Sequence, residues 1–221
     1  MSGIVGPRFG IVQDGLVLNL DAGNTSSYPG TGTDWFDLTS NNNDGVLTNG
    51  PTFDSANGGS IVFDGVDDYV NYNSISSLDE PKTIEVWIYT SVQHTGMVLS
   101  RSLSNYELYT FNDGFVYTYW GGRFNTTTNR PTITLNVWNQ FCFTISGATE
   151  TVYKDGVLIG PRTLNGTPSY TNTGNLNIGK RSNQNILYFN GKVSIVKLYN
   201  RALSSQEILQ NYNSTKTRYG L

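Results

Sequence analysis

From residue 15 to residue 199 the chain keeps one rhythm, a short run of β-branched and aromatic residues followed by Gly, Asn, Asp or Pro. Such runs favour the extended backbone, in which successive side chains point to opposite faces, and the intervening residues tolerate the dihedral angles of tight turns. Helical periodicity is missing from this stretch. The expected fold is therefore all-β, with two antiparallel sheets stacked as a sandwich. The clearest strand is Thr83-Ile84-Glu85-Val86-Trp87-Ile88-Tyr89. Ile84, Val86 and Ile88 take one face and belong to the core, whereas Thr83, Glu85, Trp87 and Tyr89 take the other. Two aromatics on that second face predict that it is partly covered or forms the floor of a groove. Similar runs occupy residues 16–20, 60–63, 106–111, 115–120, 137–145, 176–178 and 193–199.

Only Asp155-Gly156 separates Thr151-Val152-Tyr153-Lys154 from Val157-Leu158-Ile159, and that pair accepts the positive φ angles of a type I′ turn, so a tight hairpin is expected. The polar segments 24–33, 40–45 and 165–175 cannot bury their backbone and must cross the surface. Ser204-Ser205-Gln206-Glu207 reads as a capping box that opens one short C-terminal helix. The helix is expected to run to about Tyr212 and to dock on the sandwich through Ile208, Leu209 and Tyr212. No linker divides the chain, which reads as an N-terminal arm (1–14), one domain (15–213) and a C-terminal tail (214–221). Gly3, Gly6, Pro7 and Gly10 suggest an arm that orders against a neighbouring subunit.

Fourteen basic and 17 acidic residues leave a net charge of -3. No Lys/Arg cluster could neutralise a row of phosphates, so nucleic acid is not an expected partner. Cys142 is the single cysteine, which excludes an intrachain disulfide, and its setting between Phe141 and Phe143 reads as buried. The first eight residues lack a signal-peptide h-region and no later stretch is apolar enough to span a bilayer. The expectation is a protein made in a cytoplasm, without a signal peptide and without membrane insertion.

The segment Phe63-Asp64-Gly65-Val66-Asp67-Asp68-Tyr69-Val70 resembles the Phe-Asp-Gly-x-x-Asp-Tyr-Val signature of laminin G-like, or concanavalin A-like lectin-glucanase, jelly rolls. Other pieces are similar to that family in the same order. They are Gly15-Leu16-Val17-Leu18-Asn19-Leu20-Asp21, the loop from Trp35-Phe36-Asp37-Leu38 to Asp44-Gly45, Tyr153-Lys154-Asp155-Gly156, and Tyr199-Asn200-Arg201-Ala202-Leu203-Ser204 with the helix that follows. The resemblance spans about residues 15 to 213 and implies a jelly roll. The style of the two ends, including Arg218-Tyr219-Gly220-Leu221, resembles the variety found in virion proteins of tailed phages. It implies a structural or surface-exposed virion component (decoration, fibre or tail-associated), located in the virion, with other virion proteins or further copies of the chain as partners.

Two departures bear on chemistry. Where many family members have Ile-Asp-Glu-Val-Arg in the closing strand, this chain has Val193-Ser194-Ile195-Val196-Lys197, without the carboxylates that support a calcium site. The usual Trp-His-His-Val-Ala reads Trp138-Asn139-Gln140-Phe141-Cys142, which keeps the Trp and loses both histidines.

Glycan-cleaving relatives carry Glu-x-Asp-x-x-Glu on one strand, which sets two carboxylates roughly 5–5.5 Å apart for retaining hydrolysis. None of the five glutamates, Glu80, Glu85, Glu107, Glu150 and Glu207, has a partner at strand spacing, so the chain is expected not to be an enzyme. His94 is the single histidine, has no nucleophile motif and reads as a solvated loop residue. Zinc spacing and a phosphate-cradling loop are both missing. Calcium is the conceivable cofactor, with Asp21, Asp37 and Asp64 as the ligands the resemblance implies, although Asp and Asn also serve tight turns. For a glycan, an aromatic face beside polar groups is the relevant combination. Tyr117, Tyr119, Trp120 and Arg123 are the candidates, and the alternative is that these aromatics pack against Trp87 and Tyr89. The leading expectation is a non-catalytic virion-type protein with a glycan-binding fold. A free-standing lectin for host-surface polysaccharide, assisted by calcium, is the alternative, and a glycoside hydrolase a distant one.

Overall fold

The computed structural model describes residues 10–72, 80–101, 105–124, 128–170, 174–182 and 184–221. Residues 1–9 of the expected arm lie outside them, as do three residues of the 165–175 loop. The fold is the jelly-roll sandwich, two antiparallel sheets with one C-terminal α-helix. Sheet A contains β1 (Leu16–Asp21), β4 (Thr52–Asp54), β5 (Ser60–Asp64), β7 (Thr83–Tyr89), β12 (Trp138–Ser146), β13 (Thr149–Lys154), β14 (Val157–Thr163) and β16 (Asn190–Tyr199). Their order is β14-β13-β12-β7-β16-β5-β4, with β1 also paired to β16. Sheet B contains β2 (Asp34–Trp35), β3 (Gly45–Thr48), β6 (Tyr69–Tyr72), β8 (Gly96–Arg101), β9 (Tyr106–Thr110), β10 (Val116–Trp120), β11 (Arg123–Phe124) and β15 (Leu176–Ile178), ordered β11-β10-β9-β8-β15-β6-β3-β2.

Alternation along each strand builds the core. Ile84, Val86 and Ile88 of β7 meet Val98, Leu108, Val116 and Ile178 of sheet B in one buried cluster. A polar lock ties the sheets together inside this core. Glu150 of β13 accepts from Thr118 Oγ1 (2.5 Å) and Trp120 Nε1 (2.7 Å) of β10, and from Arg162 Nε (2.6 Å) of β14. The Glu150 and Arg162 side chains are fully buried, where an ion pair is tolerated because each charge is matched and hydrogen-bonded.

The outer face of sheet A is closed. The capping box at Ser204 and Glu207 opens α1 (Ser205–Thr215), which runs one turn past Tyr212. Its buried side carries Ile208, Asn211 and Thr215, whereas Leu209 is 45% exposed. The expected docking of Leu209 is therefore corrected: Ile208 and Asn211, three apart, set the stripe that faces the sheet. Residues 216–219 continue as a 3-10 turn, and Tyr219 is buried. Tyr212 and Tyr219 both stack on Trp87 (5.7 and 4.2 Å between ring centroids), with Trp138 4.8 Å from Tyr219. Beneath α1 a buried network joins Lys197 Nζ to Glu85 Oε1 (2.9 Å), and Asn211 to both Glu85 and Tyr199. The N-terminal segment enters the same network, since Val12 N–H donates to Asn211 Oδ1 and Val12 C=O accepts from the Tyr199 hydroxyl. Residues 10–14 and 214–221 are thus fixed to the domain by side chains as well as backbone.

The hairpin forms as expected. Asp155 and Gly156 adopt φ 51° and 74° between β13 and β14, the pair of left-handed conformations that a type I′ turn demands. Among the described residues, no helix is long and apolar enough to cross a membrane.

Candidate functional site

Among the described residues no helix lies over the outer face of sheet B, and its side chains follow from the register. In β10 the inward set is Val116, Thr118 and Trp120 and the outward set is Tyr117 and Tyr119. Pairing places Tyr119 beside Glu107, Glu107 beside Ser100, Ser100 beside Asn177, Asn177 beside Asn71, and Asn71 beside Val46. One row of side chains with outward parity therefore crosses six strands, aromatic at one end and amide-rich in the middle; Glu107, Ser100 and Asn177 in it are buried, and Tyr119, Asn71 and Val46 reach the surface. The Asn177 amide donates to Asn71 Oδ1 (3.3 Å). Glu107 is held by Arg181 through Nε (3.0 Å) and Nη2 (3.1 Å), and by the Ser100 hydroxyl (3.2 Å).

A second row adds aromatic surface. Tyr109 and Tyr117 are cross-strand partners whose rings stack 5.4 Å apart at 12°, and Phe111, 39% exposed, meets Tyr117 edge-on at 5.6 Å. Arg130 lies 4.6 Å over the Tyr117 ring and donates to its hydroxyl (2.8 Å), which itself donates to Asp113 Oδ2 (2.5 Å). Burial, and then the bond to Asp113, push the Tyr117 phenol above its ordinary pKa, so it stays a neutral donor. At the far side Lys180 Nζ sits 3.9 Å over the Tyr69 ring. Such a surface offers C–H-binding ring faces beside fixed amides, carboxylate and guanidinium groups.

The four glycan candidates separate accordingly. Tyr117 and Tyr119 are half-buried on the outer face. Trp120 is 0% exposed in the core with its N–H on Glu150, so it cannot serve as an external platform; its place in the strand gives it the opposite parity to the two tyrosines. Arg123, on edge strand β11, donates to the Thr167 carbonyl (3.2 Å). The expected packing of these aromatics on Trp87 and Tyr89 is also corrected, because those two belong to sheet A and Tyr117 stacks on Tyr109. Sequence reading missed Tyr109, Asn71, Asn177 and Arg181, which gain their meaning from strand order.

The three candidate metal ligands are not gathered into one group. Asp21 forms a two-pronged ion pair with Arg218 (2.5 and 2.9 Å), which competes directly with a cation. Asp37 is buried and accepts from the backbone N–H groups of Asn19, Thr39 and Asn43 and from the Thr39 hydroxyl, so its oxygens organise a loop. Asp64 instead joins Asp67 and Asp68, with one oxygen from each within 4.8 Å of the others. Backbone N–H groups already occupy Asp64 Oδ1 and Asp68 Oδ2. Burial raises the pKa of Asp68, and the two neighbouring carboxylates add to the rise. The trio has the hard oxygen chemistry that calcium takes, whereas Asp21 and Asp37 do not fit it.

All five glutamates sit beside a cation. Glu80 has Lys82 (3.7 Å), Glu85 has Lys197, Glu107 has Arg181, Glu150 has Arg162, and Glu207 has Arg201 (2.6 Å). His94 departs from the expected solvated loop. Its Nε2 accepts from the Asn190 backbone N–H (2.8 Å), and burial holds its pKa down, so the neutral ring fixes the chain beside β16.

The family model for the concanavalin A-like lectin/glucanases superfamily matches residues 64–209, about two thirds of the chain. No curated protein sequence matches. Among solved structures, the chain is similar to domain 4 of AbnA, a GH43 extracellular arabinanase from Geobacillus stearothermophilus, in complex with arabinotriose. The TM-score is 0.67 at 15% identity, over 89% of this chain and 98% of that one. It is also similar to the botulinum neurotoxin serotype D binding domain (TM-score 0.64, 13% identity, 90% of this chain and 52% of that one). Trypanosoma rangeli sialidase in complex with sialic acid gives a TM-score of 0.66 at 17% identity, over 94% of this chain and 34% of that one. The chain thus spans about half of the toxin domain and about a third of the sialidase, and at these identities the likeness is one of fold.

Proposed function

The chain belongs to the concanavalin A-like lectin/glucanases superfamily, and from that premise we propose that it is a non-catalytic, surface-exposed virion-type component whose sheet B faces glycans. The carrying observation is the partly exposed aromatic group Tyr109, Phe111, Tyr117 and Tyr119 at one end of the outer face of sheet B, with Arg130 and Asp113 beside it. Sugar rings present C–H faces to aromatics and hydroxyls to polar groups, and this end of the face sets rings beside a carboxylate and a guanidinium. Non-catalysis is supported by the glutamates, since a carboxylate held by a guanidinium or ammonium is a poor proton donor and a poor nucleophile. The two chain ends support the particle half of the reading, because Gly15-Leu16-Val17-Leu18-Asn19-Leu20-Asp21 and Arg218-Tyr219-Gly220-Leu221 resemble those of tailed-phage virion proteins.

A glycan array probed with the wild type and with Tyr117→Ala and Tyr119→Ala tests the glycan half. Retention on at least one glycan, lost in both variants, is the expected result; retention unchanged in both would remove sheet B from the reading. Immunogold labelling of purified particles tests the location, and a label confined to the unassembled fraction refutes it. Release of reducing sugar from pooled polysaccharides would overturn non-catalysis.

A calcium-assisted, free-standing lectin is the second reading, favoured by the trio Asp64, Asp67 and Asp68. Arabinotriose bound to domain 4 of the arabinanase adds weight to a sugar ligand on this fold. Under this reading, calcium raises the melting temperature and chelator lowers it; light scattering returns a monomer, whereas the virion reading expects closed symmetric oligomers.

A further inference from the structure

Beneath α1 three side chains of complementary chemistry meet in a closed interior, away from the outer face of sheet B. Lys197 of β16 is 1% exposed, and Glu85 of β7 and Asn211 of α1 are both 0% exposed. Lys197 and Glu85 are cross-strand neighbours, and Lys197 Nζ donates to Glu85 Oε1 (2.9 Å). Asn211 Nδ2 donates to the other oxygen of the same carboxylate, Oε2 (2.7 Å). One carboxylate therefore bridges an amine and a carboxamide, the two reactants from which a new amide can form.

The carboxamide is held in the manner of an electrophile. Its Oδ1 accepts from the Val12 backbone N–H (2.8 Å), a fixed donor where negative charge develops when Cγ is attacked. Its Nδ2 also donates to the Tyr199 hydroxyl (2.9 Å), which in turn donates to the Val12 carbonyl (3.1 Å). Burial raises the Tyr199 phenol well above its ordinary pKa, so it stays protonated and keeps both bonds. The amine is the least satisfied member of the group. An ammonium carries three donors, and among the described residues Glu85 is the one hydrogen-bond partner of Lys197 Nζ. A proton passed from Nζ to Oε1 cancels two charges that are costly to hold inside and frees the lone pair that attacks.

We propose that Lys197 and Asn211 join in an intramolecular isopeptide bond, made by the folded chain itself with Glu85 as proton carrier. Nζ gives one proton to Glu85 and attacks Asn211 Cγ. Glu85 hands a proton to Nδ2 through Oε2, the Cγ–Nδ2 bond breaks, ammonia leaves, and the remaining surplus proton of Nζ returns to the carboxylate. An ammonium, a carboxylate and a carboxamide thereby become a secondary amide, a protonated Glu85 and one ammonia, with no oxidant or outside reactant. Folding supplies the proximity: groups fixed at about 3–3.5 Å react as if at effective concentrations of about 10⁵–10⁸ M.

Peptide mapping of the purified, denatured chain by mass spectrometry tests the proposal. Trypsin is expected to leave residues 193–201 uncut after Lys197 and joined to residues 202–216, as a branched peptide one ammonia lighter than its two parts. Lys197→Arg, which keeps the cation beside Glu85, should give no branched peptide, and Glu85→Gln should slow its formation by about a hundredfold or more. A wild-type digest that releases residues 193–197 as a free peptide would overturn the proposal, and that readout stands whether or not the variants fold. A chain one ammonia lighter but without the branched peptide would place the loss at another asparagine and would overturn it too. So would a branched peptide that persists undiminished in either variant.

Discussion

The two sheets turn similar side chains outward and use them differently. On sheet A, Trp87 is sealed under Tyr212 and Tyr219, and Glu85 is neutralised by Lys197 beneath α1. On sheet B, Tyr117 and Tyr119 stay half-exposed, and the buried Glu107 is answered by Arg181, whose own side chain is 22% exposed. An aromatic on an outer face therefore does not announce its role. What decides is whether a later part of the chain returns to cover it, and here the last seventeen residues return to sheet A alone.

The sharpest way to break this contrast is Lys197→Met, which strands Glu85 in a closed interior. A loss of about 3–5 kcal/mol in urea denaturation is expected, while Arg181→Met, which also leaves a buried carboxylate, Glu107, but removes a partly exposed cation, should cost somewhat less. Trp87→Ala should follow, at about 3–4 kcal/mol, because it leaves a void under two stacked rings. Tyr119→Ala, its counterpart on the open sheet, should change stability by less than about 1 kcal/mol and act on glycan retention instead. Ser204→Ala removes the cap that starts the cover and should cost about 1 kcal/mol.

A pH dependence at the start of the cover extends the contrast further. Arg201, followed by the Ser204 hydrogen bonds, holds the Glu207 carboxyl at about 2, below its usual 4.5. A carboxyl depressed in the folded state stabilises fully above the unfolded pKa and loses that contribution as pH falls through the folded value. The contribution of Glu207 should thus be complete above about pH 4.5 and fade toward pH 2. Arg201→Ala should flatten this slope in an acid titration of the melting temperature.

The parts of this architecture legible in the sequence were the local ones. The phase of Thr83–Tyr89 follows from a period of two, the Asp155-Gly156 turn from backbone sterics, and the capping box from two side chains three residues apart. Parity also separates Trp120 from Tyr117 and Tyr119, and choosing all three for their aromatic character set that information aside. Non-local matches were illegible. Asp21 meets Arg218 across 197 positions, so the residue that turns it from a candidate ligand into half of an ion pair gives no signal nearby. The amide row through Asn71 and Asn177 depends on β15 lying between β6 and β8, an order that no single strand encodes.

Val12 and Tyr219 both settle against the covered side of the sandwich. Whatever is tethered through either end of the described chain, whether a fluorescent label, a neighbouring module or a larger scaffold, departs from the back of the molecule. The opposite broad surface then points away from the point of attachment, as the palm of a hand does when the wrist is held from behind.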